Sequence, residues 1–264
     1  MFYPRNRRAL SAQMQPVAQP IFWVDGDNNN IDRISGRVAS PIEYDHRYNL
    51  PLYVTDPRNP TRKCLQKRNG EFSVAVFLLD FSSGKGFNLT SNNQGTQNVH
   101  LDSFQGVGHR LEFMVYVNNN PSNRPFVTNG GLFSFDGYTQ QAGIEIGIYN
   151  NNLVILSRNN SPTDNLRTIA TLNSVVNQWL TIQYDVKEIS STTFSCIVKI
   201  FNELETIIAT EQFLHSKPMI NTRDTCYFFS DNMGWFSNAQ NVYDYLKEVK
   251  IYRETDVSDF SIYS

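Results

Sequence analysis

Four oxygen-bearing side chains near the start of the chain have the spacing of a candidate calcium loop: Asp25, Asp27, Asn29 and Asp32. Calcium prefers carboxylate and amide oxygens, which a tight loop can bring together from alternate positions. The segment departs from the EF-hand pattern, because Asn30 stands where that pattern has glycine and Gly36 where it has a bidentate glutamate. The segment is therefore either a calcium site or a turn rich in Asn and Asp, and we favour the turn. Apart from this calcium we expect no cofactor.

Two other segments combine aromatic rings with amides, as a sugar-binding site does. Rings in exposed loops stack on sugars, and Asn or Asp side chains bond the hydroxyls. The candidate glycan-binding residues are Tyr138 in GYTQQ and, in SDNMGWFSNAQNVYDY, Trp235, Phe236, Asn238 and Tyr243. The alternative is that Trp235 and Phe236 close one end of the hydrophobic core or form an oligomer contact, and we favour that alternative.

Charge and hydropathy exclude two classes of partner. The net charge is only −2 over 264 residues, so no overall field attracts nucleic acid or an anionic membrane. No apolar run reaches the roughly 18 residues that would span a bilayer. The basic start of the chain lacks the apolar core of a secretory signal. We therefore expect neither a signal peptide nor a transmembrane segment.

The three cysteines, Cys64, Cys196 and Cys226, are widely spaced and form no CxxC motif. Cys196 falls on the apolar face of a strand pattern, which predicts a buried free thiol. A disulfide between Cys196 and Cys226 is the less favoured alternative. Free thiols are typical of a protein from a reducing compartment.

The periodicity of the chain is that of β-strands. In NSVVNQWLTIQYDV, residues 173–186, apolar residues alternate with polar ones after Trp179, which predicts a strand with one buried face. RLEFMVYVN alternates in the same way, and AGIEIGIYNNNLVILSR reads as a hairpin that turns at its three asparagines. These patterns predict an all-β protein.

The order of these strands resembles the concanavalin A-like, laminin-G-like jelly-roll superfamily. In that family a tryptophan opens a strand, a strand-turn-strand follows, and a final strand reads like DEVRIYNRAL. Here Trp179, the turn at Asn202 and Glu203, and KEVKIYRETDVS take those places, while FWVDGDNNNIDRISG is similar to the opening strand and turn. The resemblance implies a two-sheet antiparallel jelly-roll sandwich over residues 20–255, with an extended N-terminal arm at 1–19 and a tail at 256–264.

Hydrolases of this superfamily carry E-x-D-x-E on one strand, where alternate carboxylates face the sugar. The nearest stretch here is EIGIY, residues 145–149, in which Gly147 and Tyr149 replace two of the carboxylates. The four histidines are scattered, and the chain has no GxSxG, HExxH or phosphate-loop motif. We therefore predict no catalytic residues and a protein that is not an enzyme.

The N-terminal arm carries Arg5, Arg7 and Arg8 and no periodic apolar pattern. An arm of this composition has no core of its own, so a contact must order it, either with a neighbouring subunit or with its own sandwich. The sequence therefore predicts a structural protein of a larger assembly, most plausibly a virion protein such as a capsid decoration, auxiliary or head-fibre protein. Its expected partners are copies of itself or a shell protein, and it would be assembled in the host cytoplasm. The alternative is a carbohydrate-binding, lectin-like module.

Overall fold

The computed structural model describes residues 18–28, 31–34, 36, 52–66, 78–80, 108–135, 138–158, 165–190, 193–216, 225–228 and 244–261. The strands are β1 (Phe22–Asp25), β2 (Leu52–Asp56), β3 (Asn59–Gln66), β4 (Leu78–Asp80), β5 (His109–Tyr116), β6 (Arg124–Phe135), β7 (Tyr138–Tyr149), β8 (Asn152–Arg158), β9 (Asn165–Thr171), β10 (Trp179–Ser190), β11 (Thr193–Phe201), β12 (Ile207–Ser216), β13 (Thr225–Phe228) and β14 (Tyr245–Arg253). A four-residue helix, α1 (Leu172–Val175), and two 3₁₀ turns, Gly26–Asn28 and Glu254–Asp256, complete these ranges.

The strands form two antiparallel sheets, which confirms the predicted all-β jelly-roll sandwich. One sheet has eight strands in the order β12-β11-β10-β5-β14-β3-β2, with β1 also paired to β14. The other has six strands in the order β4-β13-β6-β7-β8-β9. Strand β14 pairs with β1 along one part of its edge and with β3 at Tyr245 and Leu246. The pairs β10–β5, β5–β14 and β14–β3 join strands that are distant in sequence, as in a jelly roll, whereas β10–β11–β12 and β6–β7–β8–β9 are consecutive.

The hydrophobic core lies between the sheets, and the period of two decides which side chains enter it. On β10, Leu180, Ile182 and Tyr184 are buried in this core. Because alternate residues point to opposite faces, Trp179, Thr181, Gln183 and Asp185 lie on the outer face of the eight-stranded sheet. Because β10 pairs with β5, the polar residues of these two central strands lie side by side on the outer face of the sheet.

Two turns show how local sequence sets the hairpins. Asn150 and Asn151 both have positive φ, 48° and 61°, as a two-residue hairpin turn between β7 and β8 requires. The predicted turn included Asn152 as well, which is instead the first residue of β8. The turn after β11 is longer than its resemblance to an NG turn implies. There the Asn202 side chain accepts hydrogen bonds from the amides of Leu204 and Thr206, both at 3.0 Å, and Glu205 takes the positive φ of 57°.

Cys64 and Cys196 are both buried free thiols, which confirms the prediction for Cys196. Burial raises the pKa of the Cys64 thiol to about 12, so the reactive thiolate is scarce at neutral pH. The side chain of Cys226 lies outside the described part of the structure. In that part no helix has the length and apolarity to cross a membrane.

We expect a Cys226→Ser variant to react with an aromatic disulfide reagent only when it unfolds. Both remaining thiols are buried, and the high pKa of Cys64 further suppresses its thiolate. The measurement is the rate of thiol release at pH 8 with and without denaturant. Rapid reaction of either cysteine in the native protein would contradict this packing.

Candidate functional site

The carboxylates of the predicted calcium loop bind other groups of the protein. Asp25 accepts a hydrogen bond from Arg33 Nε at 2.7 Å. Asp27 accepts one from Arg62 Nε at 2.5 Å and one from the Lys63 amide at 2.6 Å. Burial alone would raise the pKa of Asp27, but these hydrogen bonds outweigh it and lower the pKa. Both carboxylates therefore tie the loop to nearby backbone and side chains.

Asp32, the third carboxylate of that loop, acts as a backbone acceptor. Its Oδ1 accepts hydrogen bonds from the amides of Trp23 at 2.9 Å and Ile34 at 3.1 Å. Asn29 lies outside the described residues, and the part of the chain that is described has no group of three or more His, Cys, Asp or Glu side chains suited to a metal ion. The Asx-rich turn therefore accounts for the three described carboxylates, and calcium binding stays a prediction.

Most of the other predicted site residues fall outside what the structure describes. These are Arg5, Arg7 and Arg8 of the arm and Trp235, Phe236, Asn238 and Tyr243. Tyr138 is the first residue of β7 and pairs with Phe135 at the end of the β6–β7 hairpin. Its side chain is not among those described, so the predicted glycan loops stay predictions.

A ladder of polar residues crosses the outer face of the eight-stranded sheet. Gln183 of β10 pairs in register with Glu112 of β5, which pairs with Lys250 of β14. On its other side Gln183 pairs with Lys199 of β11. Gln183 Nε2 donates a hydrogen bond to Glu112 Oε2 at 2.9 Å. Lys250 Nζ lies 2.9 Å from Glu248 Oε2 and 3.8 Å from Glu112 Oε1.

The carbonyl oxygen of Gln183 is the unsatisfied group of this ladder. Gln183 Oε1 is buried and has no hydrogen-bond partner within the described structure. A buried carbonyl without a donor costs about 1–3 kcal/mol, so a native protein keeps one only where something else bonds it. A bound water or a ligand donor would supply that bond.

The C-terminal segment 254–261 forms a wall at one end of the ladder. Arg110 is 3% exposed and holds Asp185 through two bonds, from Nε at 2.6 Å and from Nη2 at 2.8 Å. Its Nη1 donates to Asp259 Oδ1 at 2.7 Å. Glu254 Oε2 accepts a bond from the Gly108 amide. A Cβ at Gly108 would lie 2.6 Å from the tip of the Phe260 ring, so a larger residue here would require the Phe260 and Glu254 side chains to shift.

The β2–β3 hairpin covers the outer face at the other end. Asp56, the last residue of β2 before the turn of that hairpin, accepts a bond from Trp179 Nε1 at 3.1 Å and lies 2.7 Å from Lys247 Nζ. The Trp179 ring packs edge-on to Tyr116, with centroids 5.5 Å apart. Arg58 in the same turn bonds Glu203 at 2.8 Å. Trp179 is 4% exposed because this hairpin lies over it.

A cleft of about 470 Å³ opens between the ladder and the C-terminal segment. Its floor consists of Arg110, Glu112, Gln183 and Tyr252, and residues 255–259 form its side. The volume is within the range of small-molecule sites, about 300–1,000 Å³. Burial, reinforced by nearby Glu112, raises the pKa of Tyr252, so its hydroxyl stays protonated at neutral pH. The cleft thus offers both donors and acceptors.

We expect the C-terminal segment to detach when the pH falls below about 4. Burial alone would raise the pKa of Glu254, but hydrogen bonds from Lys187 and the Gly108 amide lower it. Burial would likewise raise the pKa of Asp259, but the hydrogen bond and charge of Arg110 lower it. A carboxylate with a lowered folded-state pKa stabilises the fold above its unfolded pKa, near 4, and loses that effect as the pH falls through the folded value. The measurement is amide hydrogen exchange of residues 254–261 between pH 3 and pH 7. Detachment already at pH 6 would contradict the assigned ion pairs.

This cleft was missed at the level of sequence. Arg110 with Glu112, and Gln183 with Asp185, occupy alternate positions on two strands, and none of the four is among the predicted site residues. The available signal was that both strands carry charged or amide residues on the face away from the core. Sequence does not show that these strands are neighbours, and register alone brings Glu112 opposite Gln183.

Comparison with known proteins supports the fold. No family model and no curated protein matches the chain. An endo-β-1,4-glucuronan lyase from the fungus Trichoderma reesei superposes with a TM-score of 0.51 at 13% identity, over 89% of this chain and 95% of the lyase. A carbohydrate esterase of the Shiga toxin-encoding bacteriophage phi24B superposes at 0.49 and 12%, over 88% and 97%. The botulinum neurotoxin serotype G binding domain gives 0.44 and 14%, over 89% of this chain and 47% of that one.

The prediction that the protein is not an enzyme was wrong. It depended on the missing E-x-D-x-E motif of the hydrolases, whereas the structure that superposes with a TM-score of 0.51 is a lyase. A missing hydrolase motif says nothing about other reaction classes, so it cannot exclude catalysis on this fold. At 13% identity the likeness establishes the jelly-roll sandwich fold, and the cleft residues must carry any functional conclusion.

Proposed function

We propose that the protein binds carbohydrate in the cleft on the outer face of its eight-stranded sheet. The observation that carries this proposal is Gln183, which lines the cleft and whose buried Oε1 has no donor among the described residues. A turn of this side chain toward the cleft would let a sugar hydroxyl donate to the oxygen and accept from a neighbouring group at the same time.

The chemistry of the floor matches a polyhydroxylated ligand. Glu112 supplies carboxylate acceptors and the Tyr252 hydroxyl both donates and accepts, while most N–H groups of Arg110 beside them already bind Asp185 and Asp259. These groups are held by their neighbours, since Arg110 is fixed by Asp185 and Glu112 by Gln183. Fixed polar groups lose little entropy when a ligand binds, which favours affinity. The glucuronan lyase is an example of a carbohydrate-active protein with this fold. For this chain, the support for the proposal comes from the residues of the cleft.

A second candidate function is that the cleft acts on the carbohydrate it binds. The observation that favours it is that the Tyr252 hydroxyl and the Glu112 carboxylate line one cleft. A phenol can serve as a general acid and a carboxylate as a general base. Release of reducing or unsaturated ends from any glycan that binds would support this function, and stable binding without product would count against it.

The predicted role in a virion is a separate proposal. It depends on the arm with Arg5, Arg7 and Arg8, which lies outside the described residues, and its test is the oligomeric state with and without residues 1–19. The predicted glycan loop around Trp235 is likewise a second place where sugar could bind. Loss of glycan binding in Trp235→Ala would place the site there.

The test of the proposed function is a glycan array probed with the full chain, followed by calorimetry on the glycans that bind. Gln183→Ala should weaken binding about tenfold or more, because a ligand hydrogen bond and the support of Glu112 are both lost. The matched control is Gln178→Ala, which removes an amide about 16 Å away along the chain direction of β10. An array without any bound glycan, or equal affinity in Gln183→Ala and the wild type, would refute the proposal.

A further inference from the structure

We infer that the ligand of this cleft is an uncharged, hydroxyl-rich glycan rather than an acidic polysaccharide. This inference rests on the proposed carbohydrate-binding function and adds the class of sugar. It is carried by the charges and hydrogen-bond requirements of the cleft itself. It also separates this chain from the glucuronan lyase, whose name gives it an acidic polymer.

The cations beside the cleft already have carboxylate partners. Arg110 binds Asp185 and Asp259 at 2.6–2.8 Å. Lys199 Nζ lies 3.7 Å from Asp259 Oδ2. The pKa of Arg110 is raised by its two partners against the effect of burial, so its charge is permanent and compensated. A uronate entering here would compete with protein carboxylates for the guanidinium.

Lys250 is compensated in the same way. Its Nζ lies 2.9 Å from Glu248 Oε2 and 3.8 Å from Glu112 Oε1, and it also lies 5.0 Å from the centre of the Trp23 ring. Glu248 is fixed in turn, because Trp23 Nε1 donates to its Oε1 at 2.7 Å. The ammonium group is therefore surrounded by two carboxylates and an aromatic face.

The lining of the cleft has an excess of negative charge. Among the described residues that line it Arg110 is the cation, whereas Glu112, Asp256 and Asp259 are carboxylates. A negative potential in a partly enclosed site repels an anionic ligand, and such a site is screened less by salt than an open surface. A neutral sugar meets no such barrier.

The hydrogen-bond requirement of Gln183 leads to the same conclusion. Its buried Oε1 needs a donor, and its Nε2 is already used by Glu112. An ionised carboxylate has no donor, so a uronate group at this position would leave the carbonyl unsatisfied. A hydroxyl or an N-acetyl N–H satisfies it. Uronate residues carry hydroxyls as well, so this requirement disfavours only a carboxylate placed at Gln183 itself, and the charge of the lining separates the two classes of ligand.

The experiment compares matched neutral and acidic oligosaccharides by calorimetry with the full chain. The neutral probes are cello-, manno- and N-acetylchito-oligosaccharides, and the acidic probes are oligoglucuronate, oligogalacturonate and alginate oligomers of similar length. We expect a neutral probe to bind at least about tenfold more tightly than any acidic one. Equal or tighter acidic binding would overturn the inference while leaving the carbohydrate-binding function intact. If neither class binds, both are overturned.

A charge variant tests whether the charges beside the cleft cause the preference for neutral oligosaccharides. Glu248→Gln keeps an acceptor for the Trp23 indole but removes the nearest negative partner of Lys250. We expect it to gain affinity for acidic oligosaccharides about threefold to tenfold, while Glu205→Gln, at an exposed position in the turn before β12, leaves both affinities unchanged. An unchanged preference in a folded Glu248→Gln protein would overturn the charge argument.

Discussion

Replacing Asp244 with asparagine should lower the free energy of unfolding by about 3–5 kcal/mol, the usual effect of removing one partner of a buried ion pair. Arg124 and Asp244 are both 0% exposed, and Arg124 Nε binds Asp244 Oδ2 while Nη2 binds its Oδ1 at 3.1 Å. The asparagine keeps an acceptor for the Asn118 amide, which Asp244 Oδ1 bonds at 2.9 Å. The loss therefore comes mainly from the uncompensated guanidinium.

This pair matters because it closes the loop between β5 and β6. Arg124 also donates to the carbonyl oxygens of Asn118, Asn120 and Ser122, so the guanidinium satisfies three backbone acceptors in a segment without regular structure. The measurement is urea unfolding followed by tryptophan fluorescence. Asp256→Asn, at an exposed position, is the control and should change stability by less than about 0.5 kcal/mol. Equal effects of the two variants would show that the buried pair is not stabilising.

The second large effect is expected for Asp185→Asn, which should cost about 3 kcal/mol or more. Asp185 is 1% exposed and is the buried partner of Arg110. Its Oδ2 also accepts a bond from the Ser261 amide at 3.4 Å, so the change loosens the C-terminal segment as well. Glycan binding should fall in parallel, because that segment forms one side of the cleft.

Asp259→Asn tests the second carboxylate that binds the Arg110 guanidinium, so that its contribution to stability can be compared with that of Asp185. Asp259 is 58% exposed, and exposed ion pairs are worth about 0–1 kcal/mol after screening. The variant should therefore unfold close to the wild type, although residues 254–261 should exchange amide protons faster. If Asp259→Asn proved as costly as Asp185→Asn, burial would not decide the strength of the pairs at Arg110.

The fold could be predicted from the sequence because it depends on local patterns. The alternation in WLTIQYDV and RLEFMVYV placed Leu180, Ile182 and Phe113 in the core, where they are found. Asn150 and Asn151 predicted the β7–β8 turn because asparagine tolerates positive φ. These signals lie within ten or so residues of one another, so no knowledge of the tertiary structure was needed.

The cleft could not be predicted, since it depends on pairings between distant residues. Arg110 meets Asp259 across 149 positions, and Trp179 meets Asp56 across 123. The polar face of β10 has no carboxylate pair of its own. Strand β10 pairs with β5, which carries Glu112, and β5 pairs in turn with β14, which carries Lys250. Sequence order separates these strands, whereas the jelly-roll topology places them side by side.

We propose the outer face of the eight-stranded sheet as the place where this protein binds carbohydrate. The most direct measurement is a crystal structure of the protein with the tightest-binding neutral oligosaccharide. We predict sugar in the cleft, with a hydroxyl or N–H donating to Gln183 Oε1 and contacts to Glu112 and Tyr252. Sugar bound instead on the six-stranded sheet or at residues 229–243, with the cleft filled by water alone, would contradict the claim.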